Sequence, residues 1–469
     1  MTSLDLSAEA RQTLWKATLE YLESYYTDTS RRRVAPELDQ EKIRNFVRQQ
    51  NFNAAQPLLE ALQHVISGME AYTVHTPHPA YYGLFNPRTN FASILGDLIT
   101  ATYNPQLAAW SHAPFALEVE NWLIQAFGEK MGYEAAQIDG VFCSGGAEAN
   151  LTAVLCALNH RFPEITTDGL QHISAKPVLY CSAEAHHSVM KAASNTGLGR
   201  QAVRSIGIGD DLRIDLSELA ARIAQDKQAG CTPFLVIATA GTTGVGAIDD
   251  LEKIAALCQQ EKVWMHVDAA WGGALALHPE YSQWIKGIEK SQSITFDAHK
   301  WLSIPMGASF FMTSQPTILH QTFRISTEYM PKDAHSLPIT DPYTHSIQWS
   351  RRFIGLKLYF SMLVFGWQGY AAVIEHQVKM GDLLRHKLLS KGWLLHNNSP
   401  MPVVCFSDPR FADDPDRVQR ICQEAIQTGK VWLSVYPVKG QLTFRACITN
   451  YNTSEQDIDV LLNTLEVLR

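Results

Sequence analysis

The stretch "SITFDAHKWLSIPMG", residues 293 to 307, carries a strand-like run into Asp297, His299 and Lys300. Desolvated charge is costly, so a lysine in that place either escapes to water or is consumed by chemistry. Other stretches put reactive groups in comparable places. "HVDAAWGG" ends an apolar run in Asp268, and "VFCSGGAEANLTAVLCAL" passes through Gly145 and Gly146 into a helix beginning near Ala147. "CSAEAHHSVMKAA" leaves a strand at Cys181 and reaches His186 and His187. In an open parallel sheet, ligands collect beyond the carboxyl ends of the strands. A helix N-terminus there offers free backbone N–H groups to a phosphate.

A lysine, a carboxylate, an imidazole and a phosphate cradle on one sheet edge are the set that a pyridoxal phosphate site requires. Lysine supplies the amine for a Schiff base, the carboxylate keeps the pyridine nitrogen protonated, and a flat side chain covers the ring. Lys300 is then not a free buried ammonium. Taken singly, each group has a plainer explanation. Lys300 could snorkel to the surface, Asp268 could cap a helix, and Gly145-Gly146 could be an ordinary tight turn. Their occurrence together favours the cofactor.

The elements that must position these groups are legible in the hydrophobic pattern. Between about 118 and 313, the runs "PVLYCS", "FLVIATAG", "VWMHVDAA", "SITFDAH" and "ASFFMT" alternate with amphipathic stretches, which predicts a mostly parallel sheet covered on both faces. Residues 1–80 show helical periodicity and no strong strand. The last ninety or so residues mix strands ("MPVVCFS", "VWLSVYPV", "QLTFRACI") with helices ("DRVQRICQEAIQ", "SEQDIDVLLNTLEVL"), a small α+β unit. The expected division is 1–80 helical, 81–375 large α/β domain and 376–469 small domain. Between Ser326 and Ser350 a polar stretch with three prolines and no periodicity predicts a functional loop that closes over the site.

Composition narrows the function classes. The chain has 469 residues, 46% apolar and 18% charged, and a formal charge of -8, so no electrostatic reason points to nucleic acid or an anionic membrane. The eight cysteines form no CxxC pair and read as reduced thiols. The N-terminus lacks an apolar signal core, so a cytoplasmic location is expected. "LYFSMLVFGWQGYAAVI" carries polar residues and glycines, and reads as a buried helix rather than a membrane span. His75, His78, His112 and His345 lack any metal-ligand spacing, so no metal is expected.

The stretches "HPAYYGLFNP", "CSGGAEANL", "AHHSVMKAA", "ATAGTTGVGAIDDL", "HVDAAWGG", "DAHKWL" and "SRRFIGLKLYF" resemble, in order, the group II pyridoxal-phosphate-dependent amino acid decarboxylases. That family includes the aromatic amino acid, glutamate and cysteine sulfinate decarboxylases. The resemblance runs from about Leu14 to the C-terminus. It implies the aspartate aminotransferase-like fold (fold type I), an interlocked homodimer and pyridoxal 5'-phosphate as cofactor. By position it implies Lys300 as the Schiff-base lysine, Asp268 as partner of the pyridinium nitrogen and His186 as the histidine stacked on the ring. Gly146, Ala147 and His299 are implied as phosphate contacts, and Thr243 and Ala270 as contacts near the ring. Phe85 and Arg445 are implied in the substrate region, although Arg445 could equally pair with a carboxylate in the small domain.

The implied reaction is α-decarboxylation of an L-amino acid to the amine and carbon dioxide. "DAHKWL", "SRRFIGLKLYF" and Phe85, at an aromatic position of the family's substrate stretch, favour an aromatic or bulky apolar substrate, although Asn86 stands where the aromatic members usually have proline. An acidic amino acid remains the alternative, because "HVDAAWGG" is closer to the glutamate and cysteine sulfinate members and Arg88 could take an acidic side chain. Tyr343 is expected as proton donor to the substrate carbon, with His345 as the rival. A decarboxylating aldehyde synthase is a further alternative, and a non-catalytic protein that keeps the fold is the reading from another class.

Overall fold

In the computed structural model, the described residues are 4–325, 340–411 and 413–469. A seven-stranded sheet forms the centre: β1 (Asp139–Cys143), β2 (Lys176–Ser182), β3 (Val203–Ile206), β4 (Cys231–Thr239), β5 (Trp264–Asp268), β6 (Ser293–Asp297) and β7 (Ser309–Thr313). Its order is β1-β7-β6-β5-β4-β2-β3, and β7 is antiparallel to both neighbours while β3, β2, β4, β5 and β6 run parallel. The expected mostly parallel sheet is present. The central strands β5, β6 and β7 are buried along their whole length because helices cover both faces, which is why they read as near-continuous apolar runs.

Strand alternation sends neighbouring side chains to opposite cores. On β5, Met265 and Val267 join the core that holds Phe127 and Trp301. Trp264 joins the opposite core, with Ala149, Ala153 and Val189 from the helices Gly146–Arg161 and Ser188–Asn195. His266 and Asp268 share the parity of Trp264, and register pairs them with Ser293 and Thr295 of β6. A polar stripe therefore lies beneath the helix Gly146–Arg161.

The small domain has its own antiparallel sheet, β8 (Leu394–Leu395), β9 (Val403–Ser407), β10 (Ser434–Val438) and β11 (Gln441–Cys447), in the order β10-β11-β9-β8. The helices Pro415–Gln427 and Glu455–Leu468 pack a second core against it. The helix Gly355–Ser390 crosses the expected boundary at 375/376. It kinks at Gly366, whose φ of 58° is left-handed and suits glycine. The uncharged run beginning at Leu358 lies in this kinked helix, and among the described residues no helix is long and apolar enough to cross a membrane.

The N-terminal helices Ala8–Asp28, Gln40–Arg48 and Leu58–Tyr72 contain no buried residue. Trp15, Leu19, Leu22, Val65 and Met69 stand exposed on them. All eight cysteines are unpaired. Of the expected loop, residues 326–339 lie outside the described residues, and the remainder contains a short helical turn at Pro342–Thr344.

Candidate active site

A cavity of 250 Å³ opens where the carboxyl ends of β4, β5 and β6 meet the start of the helix Gly146–Arg161. Its wall includes Phe85, Gly146, Ala147, His186, Thr243, Asp268, Ala270 and Lys300. Larger surface grooves, of 630 and 710 Å³, hold none of these side chains.

Lys300 lies in a single helical turn, Ala298–Trp301, directly after β6. Its Nζ is 2.9 Å from Oδ2 of Asp297, a carboxylate that is almost wholly buried and also accepts from the Ser309 hydroxyl at 2.5 Å. Asp268 ends β5. Its Oδ2 accepts from Asn150 Nδ2 at 2.8 Å, and its Oδ1 accepts from the Ala270 N–H at 3.2 Å. His186 follows β2, with Nδ1 2.8 Å from the Ser188 hydroxyl. Burial pushes the His186 imidazole below its ordinary pKa; the Asp268 carboxylate opposes this and the Lys300 ammonium adds to it.

The helix Gly146–Arg161 begins without a side-chain cap. A Cβ on Gly146 would stand 2.9 Å from Asp297 Oδ2, so only glycine lets this turn approach the end of β6. The first-turn N–H groups are thereby brought to the cavity beside Lys300. Two buried polar atoms of the wall, Thr239 Oγ1 and Trp271 Nε1, have no hydrogen-bond partner. An uncapped helix start, a lysine, a fixed carboxylate and unsatisfied polar atoms around one cavity fit pyridoxal phosphate. Among the described residues, no three His, Cys, Asp or Glu side chains gather as a metal site.

Three expected residues stand elsewhere. His299 lies behind the wall, its Nδ1 3.0 Å from the Ala308 carbonyl oxygen and its Nε2 3.8 Å from Asp297, and burial lowers its pKa. Arg445, 3% exposed, donates from Nε and Nη2 to the carbonyls of Thr243 and Gly244 and from Nη1 to that of Gly83. It ties the small domain to the loops that carry Thr243 and Phe85, and its guanidinium carbon lies 5.3 Å from the centre of the Phe85 ring, behind the cavity wall. Tyr343 is outside the wall, its N–H donating to Ala108 and its ring 5.0 Å from Trp349.

The Tyr343 segment nevertheless skirts the site. His345 pairs with Asp139 at the start of β1, 2.8 Å away, and Gln348 donates to Glu148. Glu148 in turn accepts from the N–H and hydroxyl of Ser144, next to the diglycine.

Asn150 and Asp297 are site residues that the motif reading did not assign. Asp297 was legible, since "DAHK" puts it three residues before Lys300 and on the same side of a helical turn. Asn150 had a weaker signal, four residues after Gly146 on the helix that covers the polar stripe.

A model of the pyridoxal-dependent decarboxylase conserved domain matches residues 43–408. An aromatic-L-amino-acid decarboxylase from Bacillus atrophaeus is 26% identical over 99% of this chain and 97% of its own. The structure of mouse CSAD has a TM-score of 0.89 at 25% identity, covering 97% of this chain and 98% of the other. That of Oryza sativa TDC with PLP and tryptamine has a TM-score of 0.93 at 22% identity over the whole of both chains, a likeness of fold. Because the family match spans most of the chain and its cavity carries the groups that pyridoxal phosphate needs, the protein belongs to the pyridoxal-dependent decarboxylase family and is a pyridoxal-phosphate-dependent amino acid decarboxylase.

Proposed function

We propose that the substrate is an aromatic or bulky apolar L-amino acid, converted to its amine and carbon dioxide. The observation that carries this is the aromatic wall: the Phe85 ring lies 4.4 Å from Trp271, and Lys300 Nζ is 5.6 Å from the Phe85 ring centre. Among the described wall residues, Lys300 is the only lysine or arginine, and it is paired with Asp297. Arg88, the cation that an acidic side chain would need, donates to the Tyr26 carbonyl and stacks 3.8 Å over the Tyr26 ring. The curated relative from Bacillus atrophaeus, an aromatic-L-amino-acid decarboxylase, supports the same choice.

Pyridoxal phosphate supplies an electron sink for the bonding pair left as carbon dioxide departs. Lys300 Nζ would hold the cofactor and would release it to the substrate amine. Asp268 would supply the negative charge that favours a protonated ring nitrogen. The N–H groups of Gly146 and Ala147 would hold the phosphate, with His299 supporting that end, while Thr243, Ala270 and His186 would contact the ring. Phe85 and Trp271 seat the side chain and exclude water. Arg445 holds Phe85 and Thr243 in place through their neighbouring carbonyls. Tyr343 returns the proton to the substrate carbon, from a segment whose Gln348 donates to Glu148, the residue after the wall residue Ala147.

The test is a screen of the holoenzyme with the common L-amino acids, reading carbon dioxide and amine. Aromatic substrates should be fastest. Faster turnover of glutamate, aspartate or cysteine sulfinate overturns the substrate class. The likeness to mouse CSAD is the observation that favours such a second reading. Aldehyde in place of amine would mark an aldehyde synthase, and carbon dioxide from no amino acid a non-catalytic protein.

The three N-terminal helices with no buried residue support a homodimer in which residues 1–80 pack on a second copy, because an apolar face of that size needs a partner. Light scattering that finds an active monomer would refute it. The same reading assigns 81–375 to cofactor binding and 376–469 to the small domain. A cytoplasmic location fits eight unpaired cysteines.

A further inference from the structure

Beneath the cavity, a continuous file of polar side chains lies between one face of the sheet and the helix Gly146–Arg161. Trp264 Nε1, which can only donate, lies 2.9 Å from Ser293 Oγ. The Ser293 hydroxyl is therefore free to donate to His266 Nδ1, 2.8 Å away. With the Ser293 proton on that bond, the His266 proton is on Nε2, which is 3.1 Å from both Asn150 Oδ1 and Thr295 Oγ1; the Thr295 hydroxyl donates to the same amide oxygen at 2.9 Å. The Asn150 amide cannot be reversed, because a reversed amide would set its oxygen against the Asp268 carboxylate. Its two N–H bonds go to Asp268 Oδ2 at 2.8 Å and Ser188 Oγ at 2.9 Å.

Ser188, having accepted from Asn150, donates its own proton to His186 Nδ1 at 2.8 Å. The Ser188 backbone N–H points at the same nitrogen from 3.2 Å. His186 Nδ1 thus faces two donors and carries no proton itself. From Trp264 to Ser188 the file is deeply buried, with His266 and Ser293 wholly inaccessible, Asn150 1% exposed and Ser188 2%; only His186, at its end, is exposed. Without water to substitute, each bond in the file constrains the next.

We propose that Asn150 is a positioning residue that couples Asp268 to His186: one amide hydrogen aims the carboxylate, and the other, through Ser188, holds the His186 proton on Nε2. His266 and Thr295 lock the amide in the orientation this requires. The carboxylate assigned to the ring nitrogen and the imidazole assigned to the ring face are then set by a single side chain. A Leu or Ala at 150 would satisfy the helix equally well but would leave an Asp268 oxygen and the Ser188 hydroxyl without their shared donor.

The inference rests on the assignment of Asp268 and His186 to the cofactor, and the experiment separates the two. Cofactor-depleted wild type, Asn150→Ala, Ser188→Ala and Asp268→Ala are titrated with pyridoxal phosphate by fluorescence, with circular dichroism as the check on folding. The His186 tautomer is read from the spectrum of 15N-histidine-labelled protein, its signal assigned by loss in His186→Gln. Asn150→Ala should weaken binding by tenfold or more, and both Asn150→Ala and Ser188→Ala should lose the pure Nε2–H signal. Ser188→Ala should weaken binding less than Asn150→Ala, since it spares the Asp268 arm. A wild-type His186 protonated on Nδ1 overturns the inference, whether or not the Asn150 variant folds. So does unchanged affinity in Asn150→Ala when Asp268→Ala has lost it. Unchanged affinity in Asp268→Ala instead overturns the underlying site assignment.

Discussion

Lys300 Nζ lies 2.9 Å from Asp297 Oδ2, three residues earlier at the end of β6. The pair explains how a lysine is tolerated behind a buried strand: its charge is matched by a carboxylate that is itself 2% exposed and bonded to Ser309. Breaking such a pair from one side leaves the other charge uncompensated.

On the proposed role of Lys300 as covalent anchor, Lys300→Ala should reduce multiple-turnover decarboxylation by at least about a thousandfold. Borohydride should then fail to fix the cofactor to the chain, as mass spectrometry would show. Substantial turnover in this variant would remove Lys300 from its role.

Asp297→Ala should destabilise the cofactor-depleted protein by about 1–3 kcal/mol, from the unpaired Lys300 and Ser309 groups. Gly146→Ala should destabilise it too, because the added Cβ would press on Asp297 at 2.9 Å. Gly145→Ala meets nothing within 4 Å and should leave that stability unchanged. Urea midpoints for the three variants decide whether the turn needs glycine at one position or at both.

Tyr343→Phe should lower the amine yield and raise the aldehyde yield on the best substrate, if the phenol delivers the proton. Since Tyr343 is not in the wall of its own chain's cavity, this variant measures whether its segment reaches a site during turnover. Wild-type rate and amine yield would pass the role to another group, with His345→Ala as the next variant to compare.

Burial holds the His266 imidazole down at about 4, against an ordinary value of 6.5. Below pH 6.5 the unfolded chain therefore binds a proton that the folded chain refuses, so stability is lost as pH falls from about 6.5 towards 4 and changes no further below it. Over the full interval this amounts to about 3 kcal/mol. Urea unfolding at pH 7 and pH 5 should show the loss, and His266→Gln should flatten it. An unchanged pH slope in His266→Gln would assign the acid sensitivity to other groups.

The strand ends "HVDAAWGG" and "FDAHKW", the diglycine before a helix, and the helical turn joining Asp297 to Lys300 were determined by the sequence itself. Each depends on residues a few positions apart, where strand parity and helix pitch are fixed by local geometry. Five of the seven strands follow from the same apolar runs, while β3 and the antiparallel placing of β7 do not. Tertiary structure alone decided the rest. Asn150 reaches Asp268 across 118 positions because β5, β6 and the helix Gly146–Arg161 pack with one register, and "SITFD" shows the polar alternation without showing what lies above it. In the sequence Arg445 reads equally as a residue of the substrate region or as the partner of a carboxylate; its bonds to the carbonyls of Gly83, Thr243 and Gly244, loops remote from it in sequence, appear only in the fold. Local spacing tells which groups leave a strand together; only the packed register tells which of them meet.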